Sequence, residues 1–364
     1  MPHSTYRPPR PEASAEAHER LDALGRWIET NQRGRWLIVP HNNPDPDALT
    51  SALIMAKILR QRFRQRVTIA YAGLIGRAEN QAMVKLLKIP LSRTRHINWK
   101  NYRHIALVDC QPRTGNTSIP DDLMPDLVID HHPLRRQTRE VPLHDLREGY
   151  GATATIAAEY LLASGLPVTR REATAIVYAQ RTETLDFSRE FPGPDRPIYD
   201  YFLSLADKRI LGKIRNPRLP EDYFRTLHEA LERVQGVDTL IISAMGVVPQ
   251  PDIVPEIADL LLRMDGRTWS MCSGLFEDRL YVSIRTTNPR ADAGRLMQRL
   301  LGRKGLGGGH GMLAGGWYPV TDEEEAVKVQ QRFAKRLAKL LRKNPERLAP
   351  LDFGGRDAPP ETSD

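Results

Sequence analysis

Short, mostly apolar runs alternate with amphipathic segments over the first half of the chain. Residues 36–39, 67–74, 104–109 and 127–129 have the length and apolar character of buried strands. Between them, residues 48–60 and 79–87 repeat apolar side chains at helical spacing. Strands that alternate with helices indicate the α/β class, with a parallel, doubly wound sheet.

The pattern changes at residues 191–226, where five prolines interrupt the chain and predict a linker. Short helices could form within it, between Ile198 and Ile214. Further on, residues 239–248, 269–275 and 280–286 predict strands, and residues 255–264, 291–301 and 321–343 predict helices. We therefore expect a first domain at 20–190 and a smaller α/β domain at 227–345. Residues 1–19 and 346–364 are expected to be a disordered leader and tail.

Composition narrows this picture only a little. The 364 residues exceed the usual size of one domain, which agrees with two. No apolar run approaches the ~18 residues of a membrane span, so no membrane association is expected. Two cysteines cannot form a disulfide framework, which fits a reducing cytoplasm. The net charge of +8 favours a polyanionic substrate, although arginines spread over solvated helices would give the same value.

The candidate chemistry lies where three predicted strands end. The first is followed by the loop His41-Asn42-Asn43-Pro44-Asp45-Pro46-Asp47, the third ends at Asp109, and the fourth leads into Asp130-His131-His132. Open α/β sheets bind ligands at these strand ends. Carboxylates and imidazoles together suit transition ions such as Mn²⁺.

Each of these residues taken singly could cap a helix or close a turn, as Asp47 could for the helix that follows it. Seven such groups on three strand ends favour a metal site instead. Asp45 and Asp47 are two residues apart on a turn held by Pro44 and Pro46. Carboxylates that close repel each other unless a cation lies between them, as in two-metal sites.

These motifs resemble those of a known family, the DHH phosphoesterases. HNNPDPDAL at 41–49 is similar to their first motif, Val108-Asp109 to their second, and Asp130-His131-His132 to the motif that names them. The resemblance implies a parallel α/β domain with two Mn²⁺ ions that hydrolyses phosphoester or phosphoanhydride bonds. It further implies that His41, Asp45 and Asp109 hold one metal ion, and that Asp47, Asp109 and His131 hold the other, with Asp109 as the bridge. By the same resemblance, His132 faces the substrate phosphate and Asp130 orients an imidazole.

One motif departs from the family pattern. Where the family usually has Thr-Asp-Thr-Gly, with its Asp on the second metal, this chain has Thr182-Glu183-Thr184-Leu185. Glu183 is the expected ligand, although its side chain is one methylene longer. Asp186, nearly one turn later, is the alternative ligand. A helix end with solvated acids stays open as a third interpretation.

The second domain carries a glycine-rich run, Gly307-Gly308-Gly309-His310, and the strand segment Ser283-Ile284-Arg285. Together they resemble the DHHA1 domain, the usual partner of the DHH domain, although the common run has four glycines before the histidine. The resemblance implies that Arg285, Gly308, Gly309 and His310 bind a nucleotide. Bare glycine amides and an arginine fork are suited to phosphate.

The expected function is therefore a cytoplasmic, Mn²⁺-dependent phosphoesterase of the NrnA-like group. Its expected substrates are short single-stranded RNA, 3′-phosphoadenosine 5′-phosphate or dinucleotides, and the resemblance adds a homodimer. The alternatives are an inorganic pyrophosphatase-like hydrolase and a nucleotide-binding regulator with degenerate metal chemistry. The arginines at 60, 62, 64 and 66 are interpreted as a solvated helix face, whereas those at 135, 136 and 139 could steer a polyanion toward the metals.

Overall fold

The computed structural model describes residues 8–31, 33–188 and 193–351, except for the side chain of residue 310. The chain divides into two compact units, Met1–Pro217 and Arg218–Asp364. No helix in the described part of the chain is long and apolar enough to cross a bilayer.

The first unit is built on a six-stranded, all-parallel sheet. Its strands are β1 (Arg35–Pro40), β2 (Arg66–Tyr71), β3 (Leu91–Arg93), β4 (His104–Val108), β5 (Leu127–Asp130) and β6 (Leu143–Leu146), in the order β3-β2-β1-β4-β5-β6. The predicted parallel sheet is therefore confirmed. The strand order reverses between β1 and β4, and crevices form outside the carboxyl ends of strands at such a switch point.

The helices of this unit are α1 (Ala15–Thr30), α2 (Pro46–Gln61), α3 (Ala78–Leu86), α4 (Thr153–Ala163), α5 (Arg170–Glu183), α6 (Asp195–Leu205) and α7 (Lys208–Arg215). Helix α2 is buried from Pro46 to Leu59 because it packs between the sheet, α4 and α5. Trp36 and Ile38 of β1 belong to this helical core. Leu37 and Val39 alternate onto the opposite face, where connecting segments cover them.

Two of the predicted boundaries are wrong. The leader at 1–19 is ordered where it is described: Ser14 caps α1, and its backbone N–H donates to Glu159 Oε1 at 3.0 Å. Residues 1–7 lie outside the described residues. The predicted linker at 191–226 is not a linker, because its sequence forms α6 and α7 of the first unit and the start of the second. Its apolar residues Ile198, Phe202, Leu211 and Ile214 are buried in the first core. The prolines at 194, 197, 217 and 220 therefore lie in helices or within two residues of them, while residues 191 and 192 lie outside the described residues.

The second unit holds a seven-stranded mixed sheet. Its strands are β7 (Val234–Val237), β8 (Leu240–Val247), β9 (Trp269–Phe276), β10 (Arg279–Thr286), β11 (Leu306–His310), β12 (Leu313–Pro319) and β13 (Ala349–Pro350), in the order β11-β12-β10-β9-β8-β7-β13. Its helices are α8 (Glu221–Glu232), α9 (Ile253–Leu262), α10 (Ala293–Leu301) and α11 (Glu323–Leu340). The glycine-rich run forms a β-hairpin, β11 with β12. The expected disordered tail is wrong at its start, because β13 pairs with β7, while residues 352–364 lie outside the described residues.

Candidate metal centre

The three predicted strand ends meet at one edge of the first sheet. Strands β1 and β4 are neighbours, and β5 lies on the other side of β4. Their carboxyl ends therefore place the His41–Asp47 loop, Asp109 and the Asp130–His132 segment side by side. Asp109 has a left-handed backbone, with φ of 58°. This conformation is uncommon for a residue other than glycine and is often found at functional sites.

One group of ligand atoms consists of His41, Asp45 and Asp109. His41 Nε2 lies 3.6 Å from Asp45 Oδ2 and 3.5 Å from Asp109 Oδ2. His41 Nδ1 lies 2.9 Å from the carbonyl oxygen of Asn42, so Nδ1 carries the donated proton and Nε2 faces the carboxylates. Burial disfavours the protonated imidazole, but the two carboxylates outweigh it and raise the pKa of His41.

The other group consists of Asp109, His131 and His132. His131 Nε2 is 3.8 Å from Asp109 Oδ1 and 4.0 Å from Asp47 Oδ2. The side of the ring away from the carboxylates is fixed, because His131 Nδ1 lies 3.1 Å from the carbonyl oxygen of Tyr150. His131 Nε2 is buried and has no hydrogen-bond partner among the described residues. A buried imidazole nitrogen that points at two carboxylates, with its other nitrogen on a carbonyl, has the arrangement of a metal ligand.

Asp47 is fixed by the N-terminus of a distant helix. Its two carboxylate oxygens accept hydrogen bonds from Thr153 N at 2.8 Å and Ala154 N at 2.6 Å, the first residues of α4. The Thr153 hydroxyl also donates to Asp109 Oδ1 at 2.8 Å. The role of Thr153 cannot be predicted from local sequence, because it lies 106 residues from Asp47 along the chain. One helix end therefore holds two of the predicted ligands in place.

The carboxylates at this edge of the first sheet lie close enough together to favour binding of a cation. Asp47 is fully buried, and its burial together with the charges of Asp109 and Glu183 raises its pKa. Carboxylates gathered so closely without a cation repel one another. The unpartnered His131 nitrogen and the oxygen-rich donor set fit divalent metal binding better than any arrangement of protein groups alone.

Asp130 and His132 form a hydrogen-bonded pair. His132 Nδ1 donates to Asp130 Oδ1 at 2.8 Å, and this bond raises the pKa of His132 to about 9. The other Asp130 oxygen accepts from Gln111 Nε2 at 2.7 Å. Gln111 Oε1 in turn accepts from Arg135 N and Thr138 Oγ1, each at 2.8 Å. Gln111 follows Asp109 by two residues and was missed from the sequence, although its place just after a motif strand was a usable signal.

Glu183 and Asp186, the two candidate ligands of the altered motif, lie in different environments. Glu183 ends α5 close enough to the cluster that burial and the charges of Asp45 and Asp109 raise its pKa to about 8. The side chain of Asp186 is 63% exposed and pairs with Arg181. The charges of Asp45 and Asp109 therefore act on Glu183, whereas Asp186 lies on the surface.

The predicted nucleotide-binding residues lie in the second unit. Arg285 on β10 is buried, with its Nε 2.6 Å from Asp259 Oδ1 and its Nη1 donating to the carbonyl oxygens of Ile284 and Ala314. Gly308 faces open space, whereas a Cβ at Gly309 would lie 2.2 Å from the Leu313 carbonyl oxygen. The backbone of His310 pairs with Leu313, and its side chain lies outside the described residues. Close packing therefore requires Gly309, whereas a side chain at Gly308 would meet no neighbouring atom.

Protein-family models match both units of this chain. The N-terminal domain of the DHH family matches residues 35–180, and the DHHA1 domain matches residues 238–336. The chain belongs to the DHH family. The match to the DHH domain contains the three strand ends, and the match to the DHHA1 domain contains Arg285 and the glycine hairpin.

Two sequence relatives of this DHH protein illustrate how far the similarity extends. An uncharacterised protein of Methanocaldococcus jannaschii is 32% identical over 321 residues, which are 86% of this chain and 65% of that protein. A probable manganese-dependent inorganic pyrophosphatase of Listeria monocytogenes is 24% identical over 151 residues, 42% of this chain and 48% of that protein. The chain thus spans less than two thirds of the length of these relatives.

Solved structures show the same DHH fold. An exopolyphosphatase-related protein from Bacteroides fragilis superposes with a TM-score of 0.69 at 18% identity, covering 90% of this chain and 98% of that one. RecJ from Thermus thermophilus, solved with Mn²⁺, superposes with a TM-score of 0.53 at 15% identity, covering 90% of this chain and 56% of that one.

Proposed function

We propose that this chain is a phosphoesterase that uses two divalent metal ions, Mn²⁺ in the first instance, to hydrolyse small nucleotides. The observation that carries the proposal is the position of Asp109. Its Oδ2 faces His41 and its Oδ1 faces His131, so one carboxylate belongs to both groups of ligand atoms. A carboxylate shared in this way is suited to bridge two cations.

The residues present would hold the ions in two sets. His41, Asp45 and Asp109 would hold one, and Asp47, Asp109, His131 and Glu183 would hold the other. Two such ions supply Lewis acidity toward the phosphoryl group and neutralise the charge that develops on it. The protein keeps the two histidines in the correct tautomer through the carbonyl oxygens of Asn42 and Tyr150.

His132 is proposed to act on the substrate directly. Its side chain is 49% exposed, unlike the buried carboxylates beside it, and its hydrogen bond to Asp130 keeps the ring protonated at neutral pH. A protonated imidazole at this position can donate to a phosphate oxygen or to the leaving group. Asp130 and Gln111 act through His132, since they fix its orientation.

A nucleotide substrate is supported by the second unit and by charge. The open space beside the Cα of Gly308 leaves room for a ligand near the backbone, and the net charge of +8 favours an anion. We therefore favour short oligoribonucleotides, 3′-phosphoadenosine 5′-phosphate or dinucleotides, acted on by a cytoplasmic homodimer. The pyrophosphatase relative makes pyrophosphate the second candidate substrate, although the resemblance is confined to 42% of this chain.

The test is a turnover assay of the full chain loaded with Mn²⁺, against 3′-phosphoadenosine 5′-phosphate, a linear dinucleotide, a short oligoribonucleotide and pyrophosphate. We expect hydrolysis of at least one nucleotide and none after metal removal with EDTA. Cleavage of pyrophosphate alone would support the second candidate. Tight nucleotide binding without turnover would instead show a regulatory protein.

A further inference from the structure

The edge of the first sheet opposite the metal centre is rich in arginine. Helix α2 begins at the metal edge and ends at Gln61, and its 16 residues separate the two edges by about 24 Å. Strands β1 and β2 start there with Arg35 and Arg66, which are partners in the sheet register. Arg103, just before β4, donates its backbone N–H to the Arg35 carbonyl oxygen at 3.0 Å. Three neighbouring strands therefore begin at an arginine or directly after one, at the ~4.8 Å spacing of a sheet.

The surrounding helices and turns add more arginines at the same edge. The full set of exposed arginines, which we call the arginine edge, is Arg26, Arg33, Arg35, Arg60, Arg62, Arg64, Arg66, Arg103, Arg170 and Arg171. Within the described ranges, none of these ten forms an ion pair with a carboxylate. Three of them donate to backbone carbonyl oxygens instead, namely those of Val67, Asn31 and Lys88.

Part of the arginine edge is concave. Two adjoining grooves of about 420 and 340 Å³ lie between the C-terminal parts of α1 and α2. Their lining includes four arginines of the set, and Asp22, Glu29 and Phe63 line them too. The ring of Phe63 packs over Gly25, where a Cβ would approach it to 3.1 Å. The grooves are therefore a shaped surface that carries more positive than negative groups.

Surface arginines usually lie near carboxylates, and the sequence pattern alone suggested no more than a solvated helix face. The structure changes this view, because residues distant in sequence bring unpaired cations together. Burial and the neighbouring charge of Arg171 lower the pKa of Arg60, which indicates crowding of positive charge. Crowded cations that form no ion pair with a carboxylate are suited to a polyanion that replaces their counterions.

We propose that the arginine edge binds the sugar-phosphate backbone of single-stranded RNA, separately from the metal centre. The arginines would contact phosphates, and Asp22 and Glu29 in the grooves would accept hydrogen bonds from ribose hydroxyls. The concave shape and the acidic groups among the arginines favour RNA over an anionic membrane, because a protein surface that binds a membrane usually inserts an exposed apolar face. This surface would hold an RNA strand about 24 Å from the metal centre.

The test measures binding of a fluorescein-labelled oligouridylate of about 20 nucleotides by anisotropy, in EDTA so that no hydrolysis occurs. The variant is Arg62→Glu with Arg64→Glu. The matched control is Arg336→Glu with Lys339→Glu, which makes the same change of charge on the exposed face of α11. We expect the first variant to weaken binding at least about tenfold at roughly 0.1 M NaCl, and to reduce the salt slope of log Kd by about 1.4, for two lost contacts.

Three outcomes would overturn the proposal. The first is that the wild-type protein does not bind oligouridylate. The second is that the control variant loses as much oligouridylate affinity as the Arg62/Arg64 variant. The third is that the Arg62/Arg64 variant loses binding to phosphatidylserine vesicles but keeps its affinity for oligouridylate. The neutral pair Arg62→Gln with Arg64→Gln repeats the test if charge reversal prevents folding. Mn²⁺-dependent hydrolysis of a dinucleotide should stay within about twofold of wild type in these variants, since the edge lies about 24 Å from the metals. Failure of the proposed hydrolysis would leave the binding result unaffected, so the two proposals are tested separately.

Discussion

The pKa of Glu183 makes a sharp prediction about the stability of the metal-free protein. Replacing Glu183 with Gln removes one carboxylate from a buried cluster but keeps the size of the side chain. The pKa of Glu183 rises from 4.5 to about 8 in the folded protein, chiefly through burial and then through Asp45 and Asp109. Because the folded state holds this proton more tightly than the unfolded state does, stability should fall as the pH rises from 4.5 to about 8.

The magnitude follows from the same linkage. At about 1.4 kcal/mol for each pKa unit, the cost of ionised Glu183 above pH 8 has a ceiling of roughly 5 kcal/mol. Asp47, whose pKa is also raised by burial and by the charge of Glu183, can share the proton, which reduces the expected gain in the Gln variant to about 1–3 kcal/mol. Below pH 4.5 the gain should vanish, because Glu183 is then protonated in both the folded and the unfolded states.

The assay is urea unfolding in EDTA at a series of pH values, for the wild type, Glu183→Gln and Asp186→Asn. Asp186 is a matched control, since it lies three residues away but is exposed and paired with Arg181. Added Mn²⁺ should stabilise the wild type and the control more than Glu183→Gln, because the cation needs that carboxylate. Identical pH profiles for the wild type and Glu183→Gln would refute the placement of Glu183 in the cluster.

Four further predictions concern single positions. Asp109→Asn should abolish Mn²⁺-dependent hydrolysis and lower the number of bound ions measured by mass spectrometry of metal content; two ions and a normal rate would contradict the bridge. Gln111→Ala should lower kcat by about 10–100-fold with little change in KM, because it loosens Asp130 and His132; an effect on KM alone would rule out this positioning role. Ser14→Ala should cost about 1 kcal/mol in urea unfolding through loss of the α1 cap, and an unchanged midpoint would show that the cap is not formed. Gly309→Ala should unfold more easily because its Cβ meets backbone, whereas Gly308→Ala should stay folded and weaken nucleotide binding measured by calorimetry; equal stability of the two variants would contradict the hairpin packing.

Sequence patterns were sufficient for the parts of this protein that depend on local structure. The apolar runs predicted four of the six parallel strands, and the residues at their ends predicted which side chains would gather. Strands β3 and β6 were missed because three or four half-buried residues give no clear periodicity. The proline content of residues 191–226 predicts a linker, and the Pro-, Arg- and Ala-rich composition of residues 1–19 predicts a disordered leader. Their apolar residues in fact pack on the core, and that burial outweighs weak local preference.

By itself, then, the sequence determined the fold class, the two-domain organisation and the candidate ligands, because these follow from periodicity and from motifs within a few residues. Only the tertiary structure decided what holds those ligands. The backbone of Thr153 donates to Asp47 across 106 residues of chain, and Gln111 orients Asp130. The charges of Asp45 and Asp109 act on Glu183, whereas Asp186 lies on the surface. The arginine edge also exists only in three dimensions. In each case the groups that interact are distant in sequence and close in space, and contacts of this kind leave no local pattern to detect.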